Sequence, residues 1–325
     1  MKITLLRPCA LLCLLAGTVS AAEPQPEWAM FLASSASEQL DENLPDEAAF
    51  SLPGSTRSYG RGELANPFEP PDWYPNEHPP MPKIVAHGTP GQVPQLPCAL
   101  CHLPNGMGHV ESASLAGLDA TYIEQQFAAW RSGERRIRVG GDANAAFLTR
   151  MKAGYAPADI ASAARYFAAL TPKTWIEVRE TTQVPASAVV RQTLMRLALP
   201  GSPAEALGER IVELPVDPVR LKIRDAHSGF VAYAPPGSLE RGQRVVSAPT
   251  ALGVPCGACH GAALKGQGAI PALAGRPASY LMRQLYAYKT KERTGAAAEP
   301  MMRIAAPLSN QEMLAAAAYL ASLPP

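Results

Sequence analysis

The chain has 325 residues, 47% of them hydrophobic and 18% charged, with a formal net charge of +1. That is the composition of an ordinary water-soluble protein with room for two modest domains. With no basic excess and no basic-aromatic stripe to hold phosphates, nucleic acid is excluded as a partner.

Residues 1–22 combine Lys2 and Arg7 with an apolar run through Leu11, Leu12, Leu14 and Leu15, then end in Val19-Ser20-Ala21-Ala22. This is the layout of a secretory signal peptide cleaved near Ala21 or Ala22. The run falls short of the roughly 20 apolar residues that a membrane span needs, so the mature chain is expected to be exported and not membrane-spanning. Residues 23–84 are rich in proline, including Pro70-Pro71, Pro79-Pro80 and Pro82, and read as an extended N-terminal arm. Trp28, Phe68, Trp73 and Tyr74 are expected to staple it to the folded body. Segments 122–130 and 280–288 carry apolar residues at helical spacing, and closing helices follow near 157–169 and 310–323. Ser309 with Glu312 predicts a capping box. The earlier closing helix has Ala156 at that place, partly compensated by Pro157 and Asp159. Between the two, 173–236 contains Trp175-Ile176-Glu177-Val178, Arg210-Ile211-Val212-Glu213-Leu214 and Phe230-Val231-Ala232-Tyr233, which predict short strands in a small β-containing bridge.

Signal cleavage removes Cys9 and Cys13, and every other cysteine lies in Cys98-Ala99-Leu100-Cys101-His102 or Cys256-Gly257-Ala258-Cys259-His260. None is left for a disulfide. Two cysteines at this spacing can add as thioethers to the two vinyl groups of one haem, and the next histidine then ligates the iron. A zinc site or a thioredoxin-type dithiol are the competing readings. Zinc would need both motifs to converge, and a dithiol does not require the histidine twice. Two covalently bound haem c groups follow, held by Cys98, Cys101, Cys256 and Cys259, with iron on His102 and His260.

The chain also repeats internally. At one constant offset, Cys98 pairs with Cys256, Leu115-Ala116-Gly117 with Leu273-Ala274-Gly275, Tyr122 with Tyr280, Gln126 with Gln284 and Arg135 with Arg293. After Arg135 the first copy carries a short insertion, and a smaller offset then pairs Arg150 with Arg303 and Tyr166 with Tyr319. The motif, Leu-Ala-Gly, Tyr and Gln, then Met301-Met302, Leu308-Ser309 and Ala318-Tyr319-Leu320 resemble the class I cytochrome c family in its tandem, di-haem periplasmic form. The resemblance implies a mainly α fold: signal peptide 1–22, arm 23–84, cytochrome c domain 85–172, bridge 173–236 and cytochrome c domain 237–325.

It also implies an axial methionine opposite each histidine. Met301 stands at the family position and Met302 one step out of register, while Pro271 matches the proline whose carbonyl accepts from the proximal ring. The first copy departs at both places, with Leu148 for Met301 and Ala113 for Pro271. Met151 is the nearest methionine there and is taken as the candidate ligand. Met107, His109, Met81 or an open position stay as alternatives, with His109 read first as a solvated loop residue. His78, His87, His227 and Met195 read as surface or structural residues.

The function implied is periplasmic electron transfer by ferric/ferrous cycling, between a dehydrogenase or membrane complex and an oxidase or reductase. A haem enzyme with an open or labile distal site in the first domain, acting on a small inorganic or peroxide substrate, is the alternative. A cytochrome subunit of a dehydrogenase complex is another.

Overall fold

The structure is a computed structural model that describes residues 23–40 and 43–325; residues 1–22, read above as a signal peptide, lie outside the described residues.

Helices dominate. In the first copy, Ala120–Ser132 starts at Asp119, whose carboxylate accepts from the Tyr122 amide at 3.2 Å, and stops at Gly133, whose φ of 89° only glycine adopts freely. It packs on Pro157–Ala168, which has proline at its first position, Asp159 in its first turn and no side-chain cap at Ala156. Ile84, Val85, Ala99, Ile160, Phe167 and Leu170 form the core between them. In the second copy, Ala278–Lys289 and Asn310–Ser322 repeat the arrangement. Ser309 and Glu312 close the capping box, with the Ser309 amide donating to Glu312 Oε2 at 2.8 Å and the Glu312 amide to Ser309 Oγ at 3.2 Å. A third helix, Ser238–Ser247, lies against Asn310–Ser322 along the small residues Ala315 and Gly242. Two shorter helices, Gly141–Met151 and Glu299–Ala305, carry the candidate methionines.

The bridge holds more β-structure than its sequence announced. Phe230–Ala234 is the central strand of a three-stranded sheet, parallel to Ile176–Glu180 and antiparallel to Val212–Pro215. Two further pairs, Gln183–Pro185 with Ala204–Ala206 and Ser187–Val189 with Arg196–Ala198, were not foreseen. Strands of three residues are too short to leave an alternation.

The arm is not simply extended. It makes short 3-10 turns at Glu27–Met30 and Ser35–Gln39 and a hairpin of Ala49–Ser51 with Ser58–Gly60. Trp73 is fully buried and donates its indole N–H to the Ile223 carbonyl at 2.8 Å, with Tyr59 edge-on at 4.7 Å. Tyr74 is buried beside it, Trp28 packs on the second copy's core, and Phe68 is half-buried. Phe31, which the sequence did not single out, is as deeply buried as Trp73 and lies 5.2 Å beneath the Arg283 guanidinium. His78 bonds Asp72 at 3.1 Å, His227 stacks on Tyr74 at 3.7 Å, His87 is exposed, and Met195 is buried in the bridge core.

Among the described residues, no helix is long and apolar enough to cross a membrane.

Candidate metal centres

Each Cys-x-x-Cys-His motif folds into a single helical turn, Ala99–His102 and Gly257–His260, because its histidine amide donates back to the first cysteine's carbonyl. Those bonds measure 2.9 Å from His102 to Cys98 and 3.0 Å from His260 to Cys256. A turn puts residues three apart on one side, so the two thiols of each motif share a face. The histidine rings are then fixed by the loop that follows. His102 Nδ1 lies 2.8 Å from the Ala113 carbonyl oxygen, and His260 Nδ1 lies 2.8 Å from that of Pro271. A carbonyl only accepts, so Nδ1 carries the proton and Nε2 keeps a free lone pair for a metal.

The surrounding bonds recur in both copies. Gly108 N to His102 O and Gly266 N to His260 O are both 2.9 Å, and Gly117 N to Phe167 O at 3.0 Å matches Gly275 N to Leu320 O at 2.9 Å. The change to Ala113 is thus a departure in side chain alone. The acceptor is a backbone oxygen, which alanine supplies as well as proline does.

All four thiols are free of disulfides. Burial pushes the Cys98 thiol up to about 12 and raises Cys256 as well. A reactive dithiol pair needs the opposite shift. Nor do three or more His, Cys, Asp or Glu side chains converge anywhere among the described residues, as a bridging zinc site would require.

On the distal side, Met301 and Met302 are half-buried on Glu299–Ala305, and neither packs into the apolar cluster of the second copy. Met151 is 8% exposed at the end of Gly141–Met151, in a cluster that also holds Cys98, Tyr155, Met81 and Met107. Met107 and His109 belong to the loop whose Ala113 carbonyl fixes His102, and Met107 is buried in the same cluster as Met151. His109 also corrects its reading as a solvated loop residue. It is 2% exposed, its Nδ1 lies 3.3 Å from Glu111 Oε1, its Nε2 has no hydrogen-bond partner, and its ring faces Phe230 at 6.2 Å.

One further feature went unread in the sequence, although its residues stood out as repeat pairs. Where the copies meet, Arg135 and Arg293 sit side by side in an antiparallel backbone bridge. Arg135 donates to Gln126 at 3.4 Å and to the Tyr280 hydroxyl at 3.5 Å, while Arg293 donates to Gln284 at 2.9 Å and also to Gln126. Burial alone would raise the Tyr280 hydroxyl's pKa, but the two guanidiniums outweigh it and bring the value below the ordinary tyrosine range. Neither arginine has a carboxylate at ion-pair distance among the described residues. A cavity of about 450 Å³ opens beside them, lined by Gln126, Tyr288 and Ala298. Two cations sharing a largely desolvated site call for negative charge. Paired thiols, imidazoles with free Nε2 and unneutralised guanidiniums together fit a covalently attached iron porphyrin with its propionates.

The family model for cytochrome c matches residues 239–324. Cytochrome c-554(548) of Halomonas halodenitrificans is 39% identical over 71 residues, which is 22% of this chain and 80% of that protein. Among solved structures, thiosulfate dehydrogenase (TsdBA) from Marichromatium purpuratum aligns over 71% of this chain at 26% identity and a TM-score of 0.47, and the chain spans only 37% of its length. Cytochrome c4 from Pseudomonas stutzeri aligns over 70% of this chain and 93% of its own at 18% identity, with a TM-score of 0.45. The motif match and the relative together establish that the chain belongs to the cytochrome c family, class I, whose cofactor is covalently bound haem c with its iron and whose work is electron transfer.

Proposed function

We propose that this is a di-haem periplasmic electron carrier, with one cytochrome c domain at 85–172, a second at 237–325 and the bridge 173–236 between them. Cys98 and Cys101 anchor one haem and Cys256 and Cys259 the other, with His102 and His260 as proximal ligands. Met301 is the distal ligand in the second domain and Met151 in the first. The observation that carries the reading is the duplicated histidine setting: in both copies Nδ1 is held by a carbonyl at 2.8 Å beside two free thiols. When bound, the iron supplies reversible one-electron ferric/ferrous exchange.

The chain's own residues do the rest. The Ala113 and Pro271 carbonyls orient the imidazoles and make them better donors. Arg135 and Arg293, side by side at the junction, would offer positive charge to haem propionates. Val254 is 37% and Ile270 40% exposed beside the second motif, so redox partners are expected to dock there through a small, transient contact. Those partners are a dehydrogenase or membrane complex on one side and an oxidase or reductase on the other, reached after export by the segment 1–22.

Ferric spectra test the ligands. The native protein is expected to show two low-spin centres by EPR, with Met301→Leu and Met151→Leu each turning one of them high-spin. A Met151→Leu variant with both centres still low-spin would remove Met151 from the ligand set. A high-spin centre in the native protein that binds cyanide rapidly would replace the carrier with the enzyme reading.

A further inference from the structure

The two proximal loops share their hydrogen bonds but not their surroundings. In the second copy, Gln267–Ile270 is exposed, and Gln267 and Ile270 bond only each other. The stiffness there comes from Pro271, whose ring locks its own φ. In the first copy, Ala113 supplies no such restraint. Its loop is instead gripped by side chains of the second copy. Arg276 donates to the Ser114 carbonyl at 2.9 Å and to the Ala116 carbonyl at 3.0 Å. Arg283 donates to the Glu111 carbonyl at 2.9 Å and the Val110 carbonyl at 3.4 Å, and Ser279 Oγ lies 3.3 Å from the Val110 oxygen. Four carbonyls on both sides of Ala113 are thereby held, while the Ala113 oxygen itself faces His102.

Among the described residues neither arginine has a carboxylate at ion-pair distance. Both are buried, and burial brings each guanidinium down to about 10. Arg276 makes no ion pair and leaves its Nε without a partner. Buried arginine without a carboxylate is costly, and here its hydrogen bonds all end on main-chain oxygens. Beyond the two carbonyls on the Ala113 loop, Arg283 donates to the Ala29 carbonyl and lies over the Phe31 ring at 5.2 Å, which ties the arm to the same helix.

We infer that Arg276 and Arg283 are positioning residues for His102, doing from the second copy what the proline ring does locally for Pro271. This rests on the reading of His102 as an axial ligand. The tighter the Ala113 carbonyl is held, the stronger its bond to Nδ1–H and the more basic the ligating nitrogen, which favours ferric iron and lowers the potential. Loosening the loop therefore raises the potential of the first centre alone.

The test uses the full-length di-haem protein carrying Arg276→Met, with Arg276→Gln as a milder variant that keeps one donor, and potentiometric titration read by EPR. The first centre's signal is assigned as the one that survives in Cys256→Ser/Cys259→Ser. Its potential is expected to rise and its g-values to shift in Arg276→Met, less so in Arg276→Gln, with the other centre unchanged. Adding Ala113→Pro to Arg276→Met is expected to bring the shifted signal at least half-way back, which a merely structural role for the arginine would not do. Two haems per chain with native signals in both arginine variants would overturn the inference alone. A native protein with a single haem would overturn the reading of His102 and the inference with it.

Discussion

Glu213→Ala is expected to destabilise the protein by about 3–5 kcal/mol, the cost of removing one partner from a buried charged network. The helix Ala278–Lys289 starts after Pro277 and has no side-chain cap of its own. Its first amides are satisfied from the bridge. Glu213, 2% exposed on the strand Val212–Pro215, accepts from the Ala278 amide at 2.8 Å, the Ser279 amide at 3.2 Å and the Ser279 hydroxyl. Alanine leaves the Ala278 and Ser279 amides buried without an acceptor, each worth about 1–3 kcal/mol, while the Ser279 hydroxyl keeps the Val110 carbonyl at 3.3 Å, and it takes negative charge from the start of a helix where the dipole favours it. Glu213→Gln keeps one acceptor oxygen and should cost about half as much.

The carboxyl also carries a pH signature. Burial pushes its pKa up, and the bonds from Ser279 and Ala278 with the charge of Arg283 only partly oppose this. The folded value lies above the unfolded value of about 4.3, so the folded chain holds this proton more tightly. Its contribution is fully present below the unfolded value and is lost as pH rises through the folded one. In urea unfolding at several pH values, the stability gap between native protein and Glu213→Gln should narrow as pH rises. A gap that widens would contradict this.

Gly242→Val is expected to cost about 3 kcal/mol, the upper end of ordinary overpacking. A Cβ on Gly242 would lie 2.0 Å from the Ala315 carbonyl oxygen and 2.6 Å from Tyr319 Cβ. Even Gly242→Ala should destabilise, although alanine gains about 1 kcal/mol of helix propensity over glycine, because backbone oxygen cannot move aside as a flexible side chain can. The displacement also reaches the second motif, since the Val246 carbonyl at the end of the same helix accepts from the Cys256 amide at 3.2 Å. Thermal unfolding of Gly242→Ala and Gly242→Val checks both points. An alanine variant as stable as the native protein would show that the helices separate without cost.

Much of the fold was legible because it rests on local signals. The four long helices stand where apolar spacing placed them, and the Ser309–Glu312 box needs only two residues three apart. What sequence could not show depends on partners far along the chain. Arg276 and Arg283 are buried, yet arginine in a sequence reads as solvated charge; their carbonyl partners on the Ala113 loop lie 162 and 172 residues away. His109 is buried by Phe230 and Glu111, of which only the second is a neighbour in sequence. Ala113 misled for a different reason. A motif compares side chains, whereas the contact at His102 is made by main-chain oxygen. The thiols and histidines needed no such context, because a single turn brings them together.

The most direct test of the account is the haem count of the purified, exported protein, by intact mass under denaturing conditions, beside the variants Cys98→Ser/Cys101→Ser and Cys256→Ser/Cys259→Ser. The account predicts two covalently bound haems in the native chain and one in each variant. A native chain with a single haem, or a variant that retains both, would contradict it.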